Sequence, residues 1–378
     1  MAKLKITYPT YHSPRKVVLG TGAVRCLPDI VDVKGAAFFV TGSPAAQQVL
    51  IQGLGKGGID YDKLAKIEKP PGEPDDAMVQ QGADFLRARQ GSAVVGVGGG
   101  SVMDWCRLAW ARAVGRLAAG SNRLGSPVDA RNQAEFYLVP TTCATGAEAS
   151  NVAVYSDSGR KQPVVADEFV PAGVILDARF LDSVDTGLLE NSLSDALSHA
   201  IESYLSIVPN GLAKENAISA LQLIFENYPQ PPDTCRSERL MQAGYLGGLA
   251  AAHCSVGVVH AFAHTVSRWG VRHGHANALG LRAGIRANAD TPAMQELLKR
   301  LGLAGSDELV AKVAPIVERA IAAGDHAQLA RELRSDNTRD EIVAAMLEDV
   351  CMRTNPRPLD RVAAARFCAE VLQDMRSS

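Results

Sequence analysis

The feature that most constrains the fold is a change of pattern near residue 184. Before it, short apolar runs alternate with helical stretches, as in a parallel α/β sheet whose strands are covered on both faces. Residues 36–41 (AAFFVT), 92–97 (SAVVGV), 135–140 (EFYLVP) and 173–177 (GVILD) read as such strands, and 152–166 reads as a β-hairpin around a Gly-containing turn. Beyond 184 the strands stop. Segments 188–204, 212–226, 237–252 and 256–269 carry apolar residues at helical spacing, and the remainder to Met375 reads as helical too. The pattern predicts an α/β domain over residues 1–183 and an all-helical domain over 184–378, with a cleft between them.

A chain of 378 residues suits this division. Its net charge of -2 gives no reason to expect a nucleic-acid partner. No apolar run approaches the roughly 18 residues of a membrane span, and MAKLKITYPTYH lacks the apolar core of a signal peptide. The seven cysteines are scattered, odd in number and without a CxxC pair. A reduced, cytoplasmic protein is therefore expected, with most cysteines acting as small core residues.

Val97-Gly98-Gly99-Gly100-Ser101 follows a strand and opens a helix. Glycines there let the backbone approach a pyrophosphate, and the helix N-terminus offers free N–H groups. The spacing is not the GxGxxG of the Rossmann fold, so a different cradle is implied. The second loop, 140–148 (PTTCATGAE), brings three threonine hydroxyls that suit phosphate or ribose, or equally a turn bonded to its own backbone.

The histidines carry the strongest signal. Five of the eight fall between His253 and His275, in apolar helical surroundings. Asp195 and His199 are four apart on one helix face, His260 and His264 repeat that spacing, and His273-Gly274-His275 follows a break at Gly270. Two helices and a loop can bring three imidazoles and a carboxylate to one divalent ion, a donor set that suits Fe²⁺ or Zn²⁺. His253 and His326 read as hydrogen-bonded core residues.

In combination these motifs resemble the iron-containing (group III) alcohol dehydrogenase family. Its marks stand here as GGGSxxD at 98–104, PTTxxTGxE at 140–148, DALxHAxE at 195–202, HxxxH at 260–264, HGxxNA at 273–278 and CxxxNPR at 351–357, and Val18 to Gly22 is similar to the family's opening strand. The resemblance implies a doubly wound cofactor domain, a helical domain, and interconversion of a small alcohol with an aldehyde or ketone using NAD(H) or NADP(H). It implies Asp195, His199, His260 and His273 as metal ligands, His264 as the proton relay, and a cofactor lined by Gly99, Gly100, Ser101, Asp104, Thr141, Thr142, Thr145, Ser150 and Lys161. It also implies a homodimer formed through edge strands.

Three departures stand out. His260 and His273 are thirteen positions apart, one fewer than in the relatives compared, so His275 competes as fourth ligand. Leu193 stands where glycine is common, and Cys143-Ala144 replaces Ala-Gly. At the end of the first strand, Gly42 occupies the position where NAD-preferring relatives often carry aspartate. The repulsion of a 2′-phosphate is then absent and Ser43 can donate to one, which points to NADPH. Arg268, Arg272 and Arg282 would favour an acidic aldehyde if they face the cleft. The rival readings are a dehydroquinate-synthase-like lyase, which needs a lysine cluster not seen here, a metal-independent maleylacetate-type reductase, and a non-enzymatic metal or nucleotide binder.

Overall fold

In a computed structural model of the chain, residues 10–89, 93–126, 134–157 and 160–377 are described. They form two compact units: 12–184 with 231–245, and 185–230 with 246–377, the latter joined by residues 10 and 11.

The first unit alternates strand and helix. Strands β1 (Lys16–Leu19), β2 (Ala37–Val40), β3 (Lys66–Glu68), β4 (Ala93–Gly98), β5 (Glu135–Pro140) and β8 (Gly173–Leu176) form one parallel sheet in the order β1-β8-β5-β4-β2-β3. β6 (Val152–Asp157) and β7 (Arg160–Val165) pair as the antiparallel hairpin; its central turn lies outside the described residues. Three-residue β3 was not anticipated, since Lys-Ile-Glu has one apolar residue.

Helices α1 (Pro44–Lys56), α2 (Asp76–Arg87) and α3 (Gly100–Ala113) cross over between strands. α3 is buried along most of its length because it packs on the sheet and on α2. Its Trp105 stands edge-on to Phe39 at 4.7 Å and donates from Nε1 to the Met78 carbonyl at 2.6 Å. A Cβ on Gly82 would lie 2.8 Å from that Nε1, so glycine permits the close approach of α2 to α3.

The chain runs β2 to β3 outward, then returns to β4 on the other side of β2. The strand order therefore reverses between β2 and β4. In open parallel sheets, that crevice at the carboxyl ends is where ligands sit.

A short helix, α4 (Arg179–Asp182), leads to the second unit, which among the described residues holds helices and no strands. α5 (Thr186–Leu205) is its centre, buried from Ser192 to Leu205 against α6 (Gly211–Asn227), α9 (His273–Ala287) and α11 (Ser306–Ala323). α7 (Thr234–Cys254) starts in the first unit and ends in the second. α8 (Val258–Val266) follows, and α10 (Pro292–Leu301), α12 (Ala327–Arg334), α13 (Asp336–Glu348) and α14 (Arg361–Ser377) complete the unit. The sequence reading placed helices within two or three residues of α5, α6 and α7, but ran α8 on to Trp269. The structure ends it at Val266 and continues with a 3₁₀ turn to Gly270, whose φ of 75° suits glycine. Among the described residues no single helix is long and apolar enough to cross a membrane.

Candidate active site

In the second unit, α5, α8 and α9 bring four predicted side chains to one point. Asp195 Oδ1 lies 3.6 Å from His260 Nε2, 3.6 Å from His273 Nε2 and 3.8 Å from His199 Nε2. Ligand atoms held at about 2.1 Å around a tetrahedral ion stand roughly 3.4 Å apart, so these spacings fit a single divalent cation. The ligand atoms of Asp195, His260 and His273 all lie within 4.8 Å of one another, and the His199 ring stacks on His260 at 4.7 Å. Asn277, four residues after His273, donates from Nδ2 to Asp195 Oδ1 at 2.6 Å, while its buried Oδ1 has no partner. The same Nδ2 lies 3.3 Å from His273 Nε2 and 3.4 Å from His260 Nε2, and the surrounding set of three imidazole nitrogens and one carboxylate oxygen has the donor chemistry of a site for a first-row divalent cation.

A further carboxylate orients the site. Glu202, seven residues after Asp195, accepts from His260 Nδ1 at 2.7 Å. It also takes the backbone N–H groups of Val259 at 2.6 Å and His260 at 3.2 Å. It thus caps α8 with charge-assisted bonds and turns the His260 Nε2 toward Asp195. The spacing Asp195, His199, Glu202 keeps one helix face, a signal available in the sequence but given no role there.

The electrostatics agree. Burial works to raise the Asp195 carboxyl, but the imidazoles of His199, His273 and His260 overcome it and hold it well below the usual carboxylate range. For His260, burial disfavours the cation, yet the carboxylates of Asp195 and Glu202 push it up to about 9.

His264 lies one turn beyond His260, its ring 5.6 Å from that of His273. Its Nδ1 bonds Asp349 Oδ2 at 3.1 Å, with Cys351 Sγ 3.9 Å away. Asp349 and Cys351 come from the stretch just before the Asn-Pro-Arg motif, and Asn355 of that motif accepts from the Val258 N–H, bracing the start of α8. His275 points elsewhere: its Nδ1 meets the Ala320 carbonyl at 3.1 Å and its Nε2 meets His326 at 3.2 Å. His253 stacks on Tyr11. Arg282 pairs with Glu318 and Asp374, so its charge is already matched, while exposed Arg268 lies over the Trp269 ring.

In the first unit, β4 and β5 are in register at Gly98 and Pro140, and Thr141 donates from its N–H to the Gly98 carbonyl. The glycine turn and the threonine loop therefore leave the same edge of the sheet. A Cβ on Gly100 would lie 2.8 Å from Thr145 Oγ1, and one on Gly99 3.8 Å from Thr142 Oγ1, so Gly99, Gly100, Ser101, Thr141, Thr142 and Thr145 gather at the N-terminus of α3. That cradle suits a pyrophosphate. Gly42 and Ser43 stand at the end of neighbouring β2, with Ser43 capping α1. The other three predicted residues are already engaged. Ser150 Oγ bonds the carbonyls of Ala147 and Val152. Lys161 pairs with Glu73 at 2.7 Å. Asp104 is buried, and burial raises it to about 7 despite Arg107 nearby.

The iron-containing alcohol dehydrogenase profile matches residues 14–178, and the C-terminal profile of Fe-containing alcohol dehydrogenases matches 190–366. The chain belongs to the iron-containing alcohol dehydrogenase family. It is 28% identical over 389 residues to the NAD-dependent methanol dehydrogenase of Bacillus methanolicus, covering 96% of this chain and 98% of that one. To the 1-propanol dehydrogenase PduQ of Salmonella typhimurium it is 29% identical over 321 residues, covering 79% and 83%. The iron-containing alcohol dehydrogenase structure from Thermococcus thioreducens shares its fold, with a TM-score of 0.83, 22% identity, and 96% of this chain and all of that one covered. As a family member the chain is a metal-dependent, NAD(P)-linked alcohol oxidoreductase. The lyase and metal-independent alternatives are not favoured.

Proposed function

We propose that Asp195, His199, His260 and His273 hold a ferrous ion, that zinc fits the same donors, and that the enzyme interconverts a small alcohol with its aldehyde or ketone. The carrying observation is the convergence of three imidazole Nε2 atoms on Asp195 Oδ1. His273 is preferred to His275 because the His275 ring nitrogens face Ala320 and His326.

When bound, the metal supplies Lewis-acid polarisation of the substrate oxygen, and the nicotinamide supplies hydride acceptance. The chain's own residues do the rest. Asp195 offsets the positive charge, and Glu202 keeps the proton of His260 on Nδ1 so that Nε2 is free to ligate. Asp349 accepts from His264 Nδ1, which leaves His264 Nε2 as the atom that takes the alcohol proton and returns it. Ser101, Thr141, Thr142 and Thr145, around Gly99 and Gly100, bind the dinucleotide phosphates, with Asp104, Ser150 and Lys161 supporting the pocket behind them. Relatives named for methanol and 1-propanol support a short primary alcohol as substrate. Edge strand β1, with Val17 and Leu19 exposed, suits pairing with a second copy in a homodimer, and free cysteines suit a reducing cytoplasm.

The test is Asp195→Ala, assayed for iron and zinc content, NAD(P)-linked oxidation of primary alcohols, and nucleotide binding. The expected outcome is loss of metal and of activity, with nucleotide binding retained. A variant that keeps both metal and activity removes the ligand assignment.

A further inference from the structure

Gly42 leaves β2 without the acidic side chain that would discriminate against a 2′-phosphate, but the fold brings one from the next strand. β2 and β3 are in register at Val40 and Glu68, so Glu68 ends β3 level with the end of β2. A Cβ on Gly42 would lie 3.1 Å from Glu68 Oε1: the carboxylate stands over the position that Gly42 leaves open. It is held there by α1, where Gln47 Nε2 donates to Glu68 Oε2 at 2.9 Å and to the Thr41 carbonyl at 2.7 Å.

The surroundings offer little to a 2′-phosphate. Residues 41–47 contain no lysine or arginine. Neighbouring Lys69 has its ammonium bonded to the carbonyls of Pro70 and Gly72. The N-terminus of α1 is a poor anion site, because Pro44 has no N–H and the Ala46 N–H is taken by Ser43 Oγ. The strand order reverses between β2 and β4, and with the pyrophosphate at the start of α3, the adenosine ribose falls on the β2–β3 side.

We infer that Glu68 selects NAD(H) over NADP(H), accepting a hydrogen bond from the ribose 2′-hydroxyl and repelling a 2′-phosphate. This rests on the dehydrogenase reading above, since it presumes a nicotinamide dinucleotide on this edge of the sheet. It reverses the preference for NADPH expected from Gly42 alone.

The experiment is equilibrium binding of NADH and NADPH to the metal-loaded enzyme, followed by nucleotide fluorescence, for wild type, Glu68→Gln and Glu68→Ala. Wild type should bind NADH about tenfold or more tighter than NADPH, and Glu68→Gln should shrink that ratio about tenfold, chiefly by tightening NADPH. Glu68→Ala should in addition weaken NADH. A wild type that prefers NADPH, or a ratio unchanged in Glu68→Gln, overturns the inference alone. Failure of wild type to bind either nucleotide overturns the dehydrogenase reading with it.

Discussion

Glu202 shows how much of the site depends on a residue that need not touch a metal. Its two oxygens serve His260 Nδ1 and two backbone N–H groups of α8, so it fixes a ring and a helix start together. Replacing it with glutamine keeps the volume but weakens the charge-assisted bonds and frees the imidazole tautomer. Glu202→Gln is expected to lower metal affinity by about 10–100-fold, readable by titration against a competing chelator. Metal affinity equal to wild type would reduce Glu202 to a helix cap. Much of the site was legible: spacing marked the pairs Asp195/His199, His260/His264 and His273/His275, the family resemblance singled out Asp195, His199, His260 and His273, and the fold brings these four together. Glu68 was not legible, because its partner Gly42 is distant in sequence and meets it only through strand register. Asp349 was missed for the same reason, being brought to His264 by the return of the chain after α13.

Among the elements, α5, α8 and α9 owe their close approach to missing side chains. A Cβ on Gly274 would lie 2.5 Å from the Asn191 carbonyl of α5, which explains why glycine follows His273 at the start of α9. Gly274→Ala must push α9 away from α5, moving His273 from Asp195. The expected cost is about 1–3 kcal/mol of stability together with lost metal, measured by denaturant unfolding with and without the ion. Stability and metal content both unchanged would contradict this packing account. Periodicity located the long helices well because their buried faces repeat every turn. It could not see that α8 ends at Val266, since Ser267, Arg268 and Trp269 continue tightly in a 3₁₀ turn.

At the scale of the whole molecule, buried carboxyls give stability a pH dependence of predictable sign. Burial raises Asp104 and Glu148 to about 7 from ordinary values of 3.8 and 4.5. A raised folded value means that their contribution is fully present below about pH 4 and is lost as pH rises through 7. Asp177 runs the other way: burial opposes it, but its hydrogen bonds from Arg179 and from the Val24 and Gly22 N–H groups hold it low, so its contribution is lost in acid. Stability should therefore peak on the mildly acidic side, and Glu148→Gln should flatten the decline toward pH 8, as read by Tm across a pH series. An unchanged decline would show that Glu148 is not its source.

The division of the chain has a further consequence, for the order in which a ribosome delivers it. β1 emerges early, yet its partner in the sheet is β8, the last strand made. The stretch 231–245, which gives Glu238 to bond Thr21, belongs to the same unit but is synthesised only after α5 and α6. The α/β unit is thus complete only once part of the helical unit has already left the ribosome, and a gene cut at residue 184 encodes an α/β half that lacks one of its own pieces.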